Sequence, residues 1–205
     1  MKLWYSPTSP FARKVRMAAI ELHLPDDTFE LIEVDPWSDP QLRGLNPLGK
    51  VPALRLDDGG VLYESSVIVE YMNTVVMGGL IPPLGRSRWT TLRMQALCDG
   101  VATAAGRLYA GEQRGVPDPI EERLVDTIQA GLNAFERERL NYERPLVGDI
   151  AAAATLAYFD FRWPERDWRS GRPRSAEFLD EMQRRPSMIE TAYRPLSAQG
   201  DAAGD

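Results

Sequence analysis

The stretch Tyr5–Arg16, with the sequence YSPTSPFARKVR, decides the fold because it joins a short apolar strand to an amphipathic helix. The strand is predicted at Leu3–Tyr5 and the helix at Pro10–Leu22. Ser9 stands where an N-cap residue belongs and Pro10 where a helix begins, since serine accepts from an unpaired amide and proline has no amide to leave unpaired. The turn therefore presents the positive end of a helix, which attracts anions and stabilises a thiolate. We predict that a thiol-bearing small molecule is held against it.

Strand and helix patterns alternate through residues 1–76 in the order β-α-β-α-β-β-α. A second strand is predicted at Thr28–Val34 and a short helix at Pro40–Leu45. The third and fourth strands are joined by a hairpin turn at residues 57–60, whose sequence DDGG supplies the residue types that adopt positive φ. This order predicts a mixed four-stranded sheet covered by helices.

The rest of the chain carries no strand pattern. Residues 77–84 are rich in glycine and proline and are predicted to be a linker. Residues 85–205 are predicted to form an all-helical domain. Its expected helices are Arg86–Gln113, Asp118–Leu140, the apolar and therefore buried Ile150–Trp163, and Ser175–Arg185.

Composition narrows the function classes. The net charge of −6 argues against nucleic-acid binding, and the basic cluster from Arg162 to Arg174 is interleaved with acids, so we expect a solvated loop there. The longest apolar run, residues 150–159, is too short to cross a bilayer, so no membrane partner is expected. Cys98 is the single cysteine, which excludes an intrachain disulfide and favours a cytoplasmic protein.

Three stretches in order carry a family resemblance: SPFARKVR at residues 9–16, NPLGKVPAL at 46–54 and YESSVI at 63–68. They resemble the signature stretches of the cytosolic glutathione S-transferases, and the chain is similar to bacterial members over essentially its whole length. The resemblance implies a thioredoxin-like domain at residues 1–76, a linker at 77–84 and a helical domain at 85–205. The helical domain would form the electrophile pocket and much of the interface of a homodimer. The implied function is detoxification: glutathione is bound as co-substrate without a metal, its thiolate is stabilised, and it is transferred to a small apolar electrophile.

The resemblance also implies roles for individual residues. Val51-Pro52 matches the family's cis-proline, with the Val51 backbone free to pair with glutathione as a short strand does. Lys50 faces the glycine carboxylate, or is a surface lysine. Ser65 receives the α-carboxylate of the γ-glutamyl group, or merely caps its helix, and Glu64 has the sign required for the neighbouring ammonium.

Ser9 is the predicted catalytic residue, donating a hydrogen bond to the glutathione sulfur while Phe11 lines the sulfur pocket. The alternative is that Ser9 only caps the helix and the sulfur meets amides alone. Ser6 and Tyr5 are rival donors, and we rank Tyr5 lower because its strand end is expected to be buried.

Two residues of the predicted helix 86–113 have open roles. Cys98 is expected to be a small core residue rather than a nucleophile. Asp99 either reaches the glutathione of a partner subunit or forms an ion pair. A first-turn cysteine is missing, which disfavours the disulfide-exchange members of the family.

At Leu146–Asp149 the chain departs from the family, whose Ser/Thr-x-x-Asp pattern caps the buried central helix. We expect a shortened loop, no capping box, and Asp149 capping this helix alone. Besides the transferase, two functions stay open: a catalytically weak glutathione-binding protein that acts through partners, and a glutathione-dependent isomerase or thiol reductase.

Overall fold

A computed structural model describes residues 1–115 and 119–197. The strands are β1 (Lys2–Tyr5), β2 (Glu30–Glu33), β3 (Ala53–Arg55) and β4 (Val61–Tyr63). The helices are α1 (Pro10–Glu21), α2 (Leu42–Leu45), α3 (Ser65–Val75), α4 (Gly85–Arg114), α5 (Glu121–Arg137), α6 (Val147–Arg162), α7 (Pro173–Met182) and α8 (Pro186–Glu190). The predicted β-α-β-α-β-β-α order and mixed sheet are confirmed, and this is a thioredoxin-like domain followed by a helical one.

The four strands lie in the order β2-β1-β3-β4. β1 is parallel to β2 and antiparallel to β3, and β3 is antiparallel to β4. In this register Trp4 is opposite Ala53, and Ala53 is opposite Tyr63. The residues that follow Trp4, precede Ala53 and follow Tyr63 therefore leave the sheet side by side at one end.

Alternation along the strands divides the sheet into two apolar faces. Leu3 and Leu54 belong to the large core that includes α1 and α3 and continues into the helical domain. Trp4 and Ala53 point to the opposite face, where Leu42 of α2 completes a small second core. The large core is thus shared by both domains.

The central helix α6 begins earlier than predicted, at Val147 instead of Ile150, so Asp149 is the third residue of the helix and not its N-cap. Its carboxylate still contributes to the cap, because it accepts from the N–H of the N-cap residue Leu146 and also from that of Asn141, both at 2.9 Å. Leu146, at the N-cap position, has no side-chain oxygen to complete a capping box.

Partners from elsewhere in the chain supply the missing acceptors. The Thr91 hydroxyl of α4 accepts from the Gly148 N–H at 2.9 Å, and the Leu80 carbonyl accepts from the Val147 N–H at 3.0 Å. Asn73 of α3 in turn accepts from the N–H groups of Leu80 and Ile81, at 2.9 and 3.2 Å. The middle of the predicted linker is therefore bonded on one side to α3 and on the other to the start of α6.

Other predicted bounds differ modestly. A 3-10 turn at Asp26–Thr28 occupies the start of the second predicted strand, where two aspartates favour a turn. The last predicted helix ends at Met182, and Pro186 begins a separate helix, α8, that the sequence pattern did not reveal. Asp118, the predicted start of α5, and residues 198–205 of the predicted helical domain lie outside the described residues.

Candidate active site

The first edge of the candidate site is the turn between β1 and α1. Ser9 is half-buried, is the N-cap of α1, and accepts from the Ala12 N–H at 3.2 Å through Oγ. A hydroxyl oxygen that accepts one hydrogen bond still has its own O–H to donate. Ser9 therefore caps the helix and still has a hydroxyl hydrogen to donate, so capping does not exclude the predicted hydrogen bond to a ligand.

The rival donors are committed elsewhere. Ser6 is buried, and its hydroxyl lies 3.0 Å from that of Thr8 within the turn. The Tyr5 hydroxyl donates to Glu33 at 3.4 Å, and Arg16 stacks on its ring at 4.8 Å. The geometry thus favours Ser9 over both.

Phe11 follows in the first turn of α1. It is half-buried, and neither of the two hydrophobic cores includes it among the described residues that pack against them. An aromatic side chain outside the cores is available to line a pocket.

The second edge is the segment before β3. The Val51-Pro52 peptide bond is cis, as expected. Val51 and Pro52 are buried, and the preceding turn is fixed by Asn46, whose side-chain amide donates to the Lys50 carbonyl at 2.8 Å. The Lys50 side chain itself is exposed. A rigid turn therefore presents the Val51 backbone next to the β1–α1 turn.

The third edge is the entrance to α3. Glu64 is the exposed N-cap and has φ 69° and ψ 121°, a backbone conformation that costs energy in a residue with a Cβ and that clusters at functional sites. Ser65 is buried as the first helical residue, so its predicted capping role is wrong, and no side chain caps the helix. The first-turn N–H groups of α3 are therefore open to an anion.

The strand register brings these edges together. Tyr5, Pro52 and Glu64 follow or precede three residues that are paired across β1, β3 and β4. Because neighbouring strands lie about 4.8 Å apart, a ligand of tripeptide length can contact all three edges at once.

A buried ion pair lies behind the site, and the sequence reasoning missed its cation. Lys14 of α1 is only 2% exposed, and its Nζ contacts both carboxylate oxygens of Asp99 on α4, at 2.6 and 2.8 Å. Burial lowers the pKa of Lys14, while Asp99 and the more distant Glu64 oppose that shift. Asp99 thus forms an ion pair within its own chain. Lys14 could have been found, since it lies four residues, about one helical turn, before Ala18 of the large core.

Cys98 is fully buried, and burial raises the pKa of its thiol well above the usual range. A thiol that stays protonated and covered is a poor nucleophile, which supports its expected role as a core residue.

The comparisons with known proteins decide the family. The glutathione S-transferase N-terminal domain matches residues 8–75, and the C-terminal domain of the same family matches residues 118–181. A glutathione transferase family member from Pseudomonas fluorescens Pf-5, solved with bound glutathione, is 33% identical with a TM-score of 0.86, covering 96% of this chain and 99% of that one.

This chain belongs to the glutathione S-transferase family. A structure of a Pf-5 family member with bound S-(propanoic acid)-glutathione has a TM-score of 0.82 at 33% identity, covering 96% of this chain and all of that one, 100%. The GST-like protein YibF of Escherichia coli K12, itself uncharacterised, is 28% identical over 200 residues, which are 93% of this chain and 98% of YibF. Within the described residues of this family member, no helix is long and apolar enough to cross a membrane.

Proposed function

We propose that this protein is a glutathione transferase that binds glutathione along the end of its sheet and activates the thiol for attack on a small electrophile. The observation that carries the proposal is the convergence of the Ser9 turn, the cis Val51-Pro52 segment and the uncapped entrance to α3. The glutathione and the glutathione thioether bound by the Pseudomonas relatives support the same ligand here.

Each part of glutathione has a matching group. The α-carboxylate of the γ-glutamyl group accepts from the Ser65 hydroxyl and the first N–H groups of α3, and the ammonium pairs with Glu64. The cysteinyl backbone pairs with Val51, as an added strand would. Lys50 is left for the glycine carboxylate, and Phe11 packs beside the sulfur.

Ser9 then acts on the sulfur. A free thiol has a pKa near 8.5 and is mostly protonated at neutral pH. The Ser9 O–H and the N-terminus of α1 both stabilise the anion, so the bound thiol ionises more readily. The thiolate attacks the electrophilic carbon, and Ser9 forms no covalent bond.

Glutathione binding is tested by calorimetry on the full chain and on Glu64→Gln, which removes the charge and keeps the shape. We expect at least a tenfold loss of affinity, because a hydrogen bond to a charged group contributes about 1.5–3 kcal/mol. Glu70→Gln is the matched control, since Glu70 is an exposed acid of the same helix that pairs with Arg88 at 2.6 Å. Wild-type protein that ignores millimolar glutathione, or equal losses in both variants, refutes the binding site.

Turnover is tested with a chlorinated nitrobenzene, in which the thiolate forms the carbon–sulfur bond and chloride leaves with its electron pair. Binding without turnover on a panel of electrophiles would favour the catalytically weak glutathione-binding protein instead. The reductase alternative has no support in the site, because the first turn carries Ser9 and the single cysteine, Cys98, is buried.

We also infer that the functional unit is a homodimer. Large apolar side chains are exposed along the segment that runs from β4 through α3 into α4. They include Val67 and Val75 on α3, Met77 and Leu84 in the linker, and Trp89 on α4, which is 68% exposed. So much apolar surface in one region is typical of a protein–protein interface, and a second copy of the chain is the partner that the family implies.

Light scattering after gel filtration tests the dimer. We expect Trp89→Glu to weaken association. Trp37→Glu, which changes a tryptophan on the loop after β2 that is even more exposed, at 88%, should leave association intact. A monomeric wild-type protein would contradict the inference.

A further inference from the structure

Arg162, the last residue of α6, is surrounded by aromatic rings. Its guanidinium carbon lies 4.2 Å from the ring centroid of Tyr109, 4.7 Å from that of Phe161 and 5.3 Å from that of Tyr158. Its Nε is buried without a hydrogen-bond partner. The cation is held by ring faces and by a hydrogen bond to the Tyr158 side chain, which opposes the rise that burial causes in the Tyr158 pKa. No carboxylate of the described residues lies within ion-pair distance.

The other arginines of the same stretch are all matched to oxygen acceptors. Arg166 pairs with Glu112 at 2.8 Å, and Arg169 pairs with Asp160 at 2.5 and 2.7 Å. Arg172 and Arg174 donate to side-chain and backbone oxygens at 2.7–3.1 Å. The protein is acidic, with a net charge of −6, so carboxylates outnumber basic groups. Arg162 nevertheless has no carboxylate partner among the described residues, unlike Arg166 and Arg169.

Short contacts connect Arg162 to the first turns of α1, where the sulfur is placed. Arg13, four residues after Ser9, stacks on the ring of Tyr193 at 4.3 Å. The ring of Tyr193 stacks on that of Phe161 at 5.2 Å, and Phe161 contacts Arg162. Arg13, Tyr193, Phe161 and Arg162 therefore form one contiguous cluster that extends from α1 to the end of α6.

We propose that Arg162 recognises an anionic group, a carboxylate in the first instance, on the electrophile that glutathione attacks. A guanidinium that is stacked on rings and bonded to a single hydroxyl still has in-plane N–H groups to donate, and these match a carboxylate in two parallel hydrogen bonds. The aromatic rings hold the guanidinium in place and lower its exposure to water, which strengthens its attraction for an anion. This inference rests on the proposed transferase function and makes its substrate class acidic as well as apolar.

The reaction keeps the carboxylate unchanged. With 4-(chloromethyl)benzoate, the thiolate sulfur forms a bond to the benzylic carbon, the carbon–chlorine bond breaks, and chloride leaves with the bonding electrons. The proton of the thiol goes to solvent. The methyl ester of the same compound undergoes the same displacement without the negative charge, so the pair isolates the contribution of the anion.

The test compares kcat/KM for the acid and the ester in the full-length wild-type protein, Arg162→Met and Arg166→Met. We expect Arg162→Met to lose about 10- to 100-fold on the acid, the range for hydrogen bonds to charged groups, and less than about threefold on the ester. Arg166→Met, which also removes an arginine stacked on a ring, should leave the acid-to-ester ratio unchanged. Equal losses on both compounds, or none, would assign Arg162 a purely structural role and overturn the proposal.

A binding measurement separates this proposal from the transferase function. Calorimetry with glutathione, S-(4-carboxybenzyl)glutathione and S-benzylglutathione needs no turnover and no variant. Tighter binding of the carboxylated conjugate by the wild-type protein supports the anion site even if no electrophile is turned over. Equal affinity for the two conjugates overturns the anion site while glutathione binding stands, whereas failure to bind glutathione itself overturns the proposed function.

Discussion

Replacing Ser9 tests the capping role of its hydroxyl separately from its proposed role as donor to the glutathione sulfur. Ser9→Ala removes both the N-cap acceptor, which lies 3.2 Å from the Ala12 N–H, and the proposed donor. Ser9→Gly also removes the donor, but glycine is itself a good N-cap residue. The two variants therefore share one defect and differ in the other.

The expected magnitudes follow from each role. Loss of the cap costs about 1 kcal/mol in Ser9→Ala and only a few tenths in Ser9→Gly, which for a chain of this size lowers the melting temperature by about 2–4 °C in the first variant alone. A hydrogen bond to a charged group contributes about 1.5–3 kcal/mol, so loss of the donor raises the pKa of the bound glutathione thiol by about 1–2 units in both variants.

Titration of the thiolate by its ultraviolet absorbance, with glutathione saturating, measures the pKa of the bound thiol. Thermal unfolding monitored by circular dichroism measures the cap. If both variants bind glutathione with the wild-type thiol pKa, the helix amides stabilise the thiolate alone and Ser9 is not catalytic.

Three further predictions concern the contacts that support the site. Asp99→Asn leaves the buried Lys14 ammonium without its anion, so it should lower the free energy of unfolding in urea by about 3 kcal/mol. Lys14→Met should lower it less, because the Asp99 carboxylate that it leaves unpaired is 28% exposed. The reverse order would contradict the interpretation as a buried pair. Thr91→Val leaves the Gly148 N–H without an acceptor and should lower the free energy of unfolding by about 1–3 kcal/mol. The control Thr90→Val, on the exposed side of the same helix, should change it by less than about 0.5 kcal/mol. Similar values for the two variants would exclude the capping role of Thr91. The pKa of Glu33 is lowered to about 2, mainly by the hydrogen bond from Arg194, so its contribution to stability is complete above the unfolded pKa of 4.5 and is lost as pH falls towards 2. Glu33→Gln should therefore flatten the pH dependence of the unfolding free energy in that range, and should change it by less than about 1 kcal/mol at neutral pH because the pair is solvent-exposed. An unchanged acid profile would refute this prediction.

Local signals made most of the fold predictable. The Ser9-Pro10 start of α1, the DDGG hairpin and the apolar run of α6 each follow from a short stretch of sequence. The three edges of the candidate site were also found, because each depends on one turn. Their grouping at one end of the sheet follows from the strand order.

What sequence reasoning missed depends on contacts between distant segments. Thr91 caps a helix that begins 56 residues later, and nothing near Leu146 reveals that acceptor. The partners of Lys14 and the aromatic surroundings of Arg162 likewise come from helices far along the chain. Such contacts are set by packing, which no local pattern encodes.

The hydrogen bonds through Asn73, Leu80 and Val147 have a consequence for how this protein can be engineered. They tie the end of α3 to the start of α6 through a segment that composition alone marks as a linker. In an exchange of halves between relatives, a cut before Leu80 would join Asn73 to a foreign loop, and a cut after Ile81 would set this loop against a foreign start of α6. Productive recombination would have to carry Asn73, the intervening loop and the first turn of α6 as one inherited block.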